Sequence, residues 1–187
     1  MNSYSGYGED KWIYENINPP TGVFCEVGAY DGISSSNTLA FEQIGWTGML
    51  VEPDPASAAK CIISRKGPVW CCAAGRAGFR PFFLNEADRG RSSFAQYDGK
   101  VIPVIVCPLI ELLFHAGLTS LDLLSIDTEG TELEVWETLG THRPKIVIME
   151  FLTWGSPPRD KEIVERMVAD GYREAHRTEA NLIFVRR

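Results

Sequence analysis

The chain predicts an open, mostly parallel α/β sheet wound with helices on both faces, and three observations predict it. Short apolar runs of strand-forming residues alternate with helical patterns through most of the sequence, the rhythm of parallel strands joined by right-handed crossovers. The first run, residues 23–27, ends in the turn Gly28-Ala29-Tyr30-Asp31-Gly32, at the edge where such sheets bind small ligands. Glu26, Glu52, Asp127 and Glu150 each lie at or near the carboxyl end of an apolar run, which lines that edge with carboxylates.

Composition narrows the class. At 187 residues the chain suits one domain with one substantial core, and residues 1–187 are read as such. Apolar residues make up 44% and charged residues 23%, close to soluble globular averages. A formal charge of -7 repels phosphate backbones and argues against a general nucleic-acid binder. Residues 1–11 are polar, unlike a signal peptide, and no apolar run reaches the roughly 20 residues a membrane span needs. The expectation is a soluble cytoplasmic protein. Five cysteines without a Cys-x-x-Cys pair, and three scattered histidines, predict free thiols and no structural zinc.

The elements follow in order. Residues 10–16 predict a short helix, with Tyr4, Tyr7 and Trp12 either packed on the sheet edge or folded over the ligand as a lid. Leu39, Ala40 and Ile44 give residues 36–44 a helical pattern that Ser36 or Asn37 caps. Residues 47–51 form the second strand. Asp54-Pro55 then starts a helix whose apolar face is Ala58, Cys61 and Ile62.

Residues 69–72 predict a third strand and residues 80–84 another. The polar residues 85–100 form a loop long enough to suggest function. Residues 101–107 read as an edge strand because of their prolines, and residues 109–116 as a helix stopped at Gly117. A core strand over 121–126, a helix over 131–139, a strand over 146–149, a turn-rich loop over 154–159, a helix over 161–170 and a closing pair at 172–175 and 181–185 complete the chain. No internal repeat is apparent.

Glu52 lies about two dozen residues after the glycine turn, near the offset at which an acid meets ribose hydroxyls. A dinucleotide needs a second glycine where this chain has Tyr30, which would obstruct the pyrophosphate. A cofactor with a ribose and no phosphate fits better, and S-adenosylmethionine is one. The segments Glu-Val-Gly-Ala-Tyr-Asp-Gly at 26–32, Ser-Asn-Thr at 36–38, Gly-Trp-Thr-Gly at 45–48, Val-Glu-Pro-Asp-Pro at 51–55, Ser-Ser at 92–93 and Ile-Asp-Thr-Glu-Gly-Thr-Glu at 126–132 resemble, in order and spacing, the FkbM family of S-adenosylmethionine-dependent methyltransferases. Tyr-Gly-Glu-Asp at 7–10 is similar to that family's entry segment.

The resemblance implies a class I methyltransferase fold, Rossmann-like, with a doubly wound, mostly parallel seven-stranded sheet and an antiparallel last strand. It further implies that Glu26, Gly28, Ala29, Tyr30 and Asp31 hold the methionine part of S-adenosyl-L-methionine with help from Asn37. Glu52, followed by Pro53, takes the ribose. Ala73 borders adenine, and Asp127 stands near the transferred methyl.

Methyl transfer from a sulfonium is a direct displacement, so nucleophile, methyl and sulfur must be held in line and a hydroxyl acceptor must lose its proton. Asp127 and Glu129 are the candidate catalytic residues, with capping of the following helix as the alternative use of Glu129, Glu132 and Glu134. A cation held by Asp127, Glu129 and Glu150 is conceivable, but the reading adopts no metal. The loops at 85–100 and 154–159 would wall the acceptor site, with Arg89, Arg91, Ser92 and Ser93 facing a polar or acidic substrate. The expected activity is O-methylation of a small molecule or glycan. The alternatives are a non-catalytic binding or assembly protein on the same fold and a nucleotide-dependent oxidoreductase, which Tyr30 disfavours.

Overall fold

The computed structural model describes residues 1–95, 99–153 and 156–187. Its main sheet has seven strands: β1 (Val23–Val27), β2 (Thr47–Val51), β3 (Val69–Trp70), β7 (Leu123–Ile126), β8 (Ile146–Glu150), β9 (Tyr172–Arg177) and β10 (Asn181–Arg186). Their spatial order is β3-β2-β1-β7-β8-β10-β9. The strands β3, β2, β1, β7 and β8 pair in parallel, whereas β10 is antiparallel to both β8 and β9. This is the doubly wound sheet with an antiparallel final strand that the sequence predicts. A second, three-stranded sheet joins β4 (Ala73–Ala74), β6 (Lys100–Cys107) and β5 (Gly78–Leu84) in that order.

The period-2 alternation of β-strand side chains divides the apolar residues between two layers. Cys25, Val27, Met49, Leu124 and Met149 pack with Leu109, Leu113, Val135, Trp136, Ile163 and Met167 from α4 (Leu109–His115), α5 (Glu132–Glu137) and α6 (Asp160–Ala169). On the other face Phe24, Leu50, Leu123 and Ile148 meet Ile13, Phe41 and Cys61 from α1 (Glu9–Asn16), α2 (Leu39–Gln43) and α3 (Pro55–Ser64). Asp54 caps α3 as predicted, accepting from the Ala56 and Ser57 amides.

Several local expectations are corrected. The first crossover helix is only Leu39–Gln43, because Ser36, Asn37 and Thr38 bond to Glu26 instead of entering it. Ile62 is exposed, and Ser57, Ala58 and Cys61 form the buried face of α3. The third strand stops at Trp70, and the chain crosses to the small sheet at Ala73. Within that sheet β6 is central rather than an edge. Pro103 is tolerated because β4 pairs only with Val106 and Cys107, leaving that flank open where Pro103 faces Pro81 of β5. The loop after β5 contains a 3₁₀ turn at Arg89–Arg91, and Ser93 bridges back to Phe83.

All five cysteines are free. Cys25, Cys61 and Cys72 are buried, Cys107 is half-buried, and Cys71 is exposed. Among the described residues no helix is long and apolar enough to cross a membrane.

Candidate active site

The parallel sheet brings its carboxyl ends to one edge, and two adjoining cavities open there. The smaller holds about 40 Å³ and is lined by Gly28, Tyr30, Glu52, Pro53, Ala73 and Asp127, with Arg89, Ser92 and Phe94 from the loop after β5. The larger, about 640 Å³, is lined by Glu26, Ala29, Asn37, Asp127, Glu129, Glu150 and Asn181, with Tyr7 and Arg91 at its rim. Gly28, Tyr30, Asp127 and Glu129 border both. The structure therefore gathers the predicted site residues around one place, with Asp31 as the exception. Its side chain accepts from the Ile33 and Ser34 amides of its own turn. Burial opposes its charge, but those hydrogen bonds hold its carboxyl below the usual range.

Gly28 fixes the closeness of the turn to the sheet. Its φ is 81°, and a β-carbon there would stand 1.6 Å from the Asp127 carbonyl oxygen. Only glycine lets β1 end against β7 in this way. Tyr30 adopts φ 50° and donates its amide to Glu52 Oε2 at 2.8 Å, while the Asp54 amide donates to Oε1 at 2.8 Å. Glu52 is thereby held rigidly on the wall of the smaller cavity. Burial outweighs those two amides and pushes its carboxyl up to about 8.

Glu26 lies on the wall of the larger cavity, but its oxygens are heavily engaged. Oε1 accepts from the Asn37 amide at 2.8 Å, and Oε2 accepts from Thr38 Oγ1 at 2.6 Å, Ser36 Oγ at 2.9 Å and Arg65 Nη1 at 3.0 Å. Arg65, absent from the sequence reading, also binds Glu42 at 3.2 Å, and its side chain is fully buried. It knots β1, α2 and the end of α3 together.

Asp127 and Glu150 face each other at the ends of β7 and β8 and share a hydrogen bond. Burial first raises both above the ordinary carboxylate range, followed by the charge of Glu129 for Asp127 and the charges of Asp127 and Glu129 for Glu150, while the shared hydrogen bond lowers Asp127 and raises Glu150, so the pair retains a proton. Glu129 has φ 55° and donates its amide to Glu150 Oε2 at 3.3 Å. No side-chain hydrogen bond caps α5, and Glu132 Oε1 instead accepts from Thr128 and Gly130 in the turn before it. Glu134 instead pairs with Arg80 of the small sheet.

Of the residues proposed for the acceptor wall, Arg91 reaches the larger cavity. Arg89 binds Asp54 at 2.8 Å, Ser92 Oγ accepts from the Asn85 amide and Ser93 Oγ from the Ala95 amide. The predicted loop at 154–159 lies partly outside the described residues. Its Ser156 lines the larger cavity, and Arg159 binds the Gly130 carbonyl. Trp12 stacks on His176 at the sheet edge, and Tyr7 borders the larger cavity. None of the three histidines lines either cavity. Asn181 lacked a role in the sequence reading, whereas Glu150 entered it as an acid at the end of an apolar strand and as a conceivable cation ligand.

The fold recurs in solved structures at low identity. Magnesium protoporphyrin IX methyltransferase (ChlM) from Synechocystis PCC 6803 with bound SAM aligns with a TM-score of 0.55 and 12% identity, over 95% of this chain and 76% of that one. PH1948 from Pyrococcus horikoshii gives 0.52 and 12%, over 96% and 83%. Monomeric WbdD gives 0.50 and 12%, over 95% of this chain but 39% of WbdD. No curated protein matches the chain in sequence. The model of the Methyltransferase FkbM domain matches residues 26–174. With that match and the class I sheet, the chain belongs to the FkbM family of methyltransferases, whose methyl donor is S-adenosylmethionine.

Proposed function

We propose that this chain transfers a methyl group from S-adenosylmethionine to a hydroxyl oxygen of a small molecule or glycan. One observation carries the reading: the ribose-height acid Glu52 and the carboxylate group around Asp127 flank the same glycine turn, and each faces a cavity. In this reading the ribose hydroxyls donate to Glu52, Ala73 and Pro53 border the adenine side, and the Gly28–Tyr30 backbone and Asn37 receive the methionine end. Asp127, Glu129 and Glu150 in the larger cavity would face the transferred methyl and the acceptor. Asp127, in its ionised form, takes the acceptor proton as the oxygen attacks the methyl carbon and the carbon–sulfur bond breaks. The products are a methyl ether and S-adenosylhomocysteine.

A screen of methyl transfer from labelled S-adenosylmethionine into sugar, glycan and hydroxylated metabolite pools tests this directly. Label should enter as an alkali-stable methyl ether. Asp127→Asn should keep cofactor binding and lose about 10²–10⁴-fold in kcat. Label in nitrogen or carbon positions would overturn the O-methyl assignment, and full activity of Asp127→Asn would clear that residue of proton transfer. Tight cofactor binding with no transfer to any pool would favour a non-catalytic role.

A further inference from the structure

Three carboxylates converge on one point of the larger cavity. Asp127 follows β7, Glu150 ends β8, and Glu129 comes from the turn after β7. One oxygen from each lies within 4.8 Å of the others. Two ligands of one ion stand no further apart than twice the metal–oxygen distance, about 4.6–5.2 Å for calcium and about 4.0–4.2 Å for magnesium. The cluster therefore spans a calcium-sized ion as it stands, and needs only a slight closure for magnesium or manganese.

The sheet register brings a second kind of oxygen to the same place. Asn181 of β10 pairs directly with Glu150, so the two side chains share one face with β-carbons about 4.5–5.5 Å apart. Its Nδ2 donates to Glu9 Oε1 at 2.9 Å. A carboxylate only accepts, so the amide cannot be turned around. Among the described residues its Oδ1 has no hydrogen-bond partner, although Asn181 is 6% exposed and lines the cavity that holds the carboxylates.

Asn37 repeats the pattern on the opposite flank. Its Nδ2 donates to Ser125 Oγ at 3.0 Å, two residues before Asp127. Its Oδ1 is likewise buried and unpartnered. Buried carbonyl oxygens without a donor are costly. A hard cation is the partner that carboxylate and amide oxygens take in common. An ammonium group answers the same need, so the cofactor's own amino group is the competing occupant.

We propose that Asp127, Glu129 and Glu150, completed by the amide oxygen of Asn181, bind one hard divalent cation of the calcium, magnesium or manganese kind. Only its role rests on the methyltransferase reading: a cation there polarises an acceptor hydroxyl and eases loss of its proton. Its binding does not depend on that reading.

Calorimetric titration of the metal-stripped chain with calcium, magnesium and manganese chlorides, with and without S-adenosylhomocysteine, tests the site. One cation should bind per chain with a Kd of about 10⁻³ M or tighter. Glu150→Gln should weaken it about 10–100-fold, and Glu129→Gln, a change in a half-buried turn, should weaken it if the core variant fails to fold. A chain that binds S-adenosylhomocysteine and no cation would overturn the proposal, as would an unchanged Kd in both variants. Displacement of the cation by S-adenosylhomocysteine would assign the oxygens to the cofactor's ammonium and overturn it too. Cation binding without any cofactor binding would uphold the site and reject the methyl-transfer reading instead.

Discussion

Glu52 shows how a single acid acquires a task from its surroundings. Two backbone amides hold its oxygens, yet burial raises its carboxyl from 4.5 to about 8, so the cofactor-free protein carries it protonated at neutral pH. A raised folded-state value stabilises the fold below about pH 4.5, and that contribution is lost as pH rises through about 8. Ribose hydroxyls donate best to the ionised form, so cofactor binding should release a proton. Affinity for S-adenosylhomocysteine is expected to tighten by up to about tenfold per pH unit between pH 6 and 8 and then level off. In Glu52→Gln, affinity should fall and its pH dependence over that window should disappear. A flat profile in the unsubstituted chain, measured by calorimetry at several pH values, would remove the ribose assignment. The glycine turn beside it was legible as a place where backbone must come close to a neighbour. That the turn packs against the Asp127 carbonyl was not, because Asp127 follows a strand about a hundred residues away.

At the scale of elements, the strands were legible and their linkages were not. Arg65 sits at the carboxyl end of α3, where the helical pattern simply runs out, and nothing local marks it as a core residue. In the fold its buried guanidinium binds Glu26 of β1 and Glu42 of α2. Removing one partner of such a pair leaves buried charge uncompensated. Arg65→Ala should therefore cost about 3–5 kcal/mol of unfolding free energy, read as a lower urea midpoint with little change in slope. A loss below about 1 kcal/mol would show that water reaches the pair and that the knot is loose. The segment 85–95 carries a related lesson. Arg89 ties it to Asp54 at the start of α3, and Arg89, Ser92 and Phe94 line the smaller cavity.

For the whole molecule, the site lies between the amino-terminal segment, the glycine turn, the loop after β5 and the β8–β10 edge. A ligand there touches several parts of the chain remote from one another in sequence. Since such a ligand binds the folded state alone, S-adenosylhomocysteine at a hundred times its Kd should add about 2.7 kcal/mol. In a chain of this size the expected rise in Tm is about 5–10 °C, measured by differential scanning calorimetry, and no rise at that concentration would count against cofactor binding in this crevice.

The alternation of strands and helices, the glycine turn, the acids at the strand ends and the class of methyl donor were all readable from the chain. Periodicity and turn stereochemistry are local properties, and the spacing of short motifs carries the rest. Which oxygens remain available was settled by folding alone. Glu26 is engaged by an arginine 39 positions away, and Asn181 meets Glu150 through an antiparallel register. Burial then changes the protonation of Glu52 and of the Asp127–Glu150 pair. Those facts depend on distances between residues remote in sequence, and no local pattern encodes them.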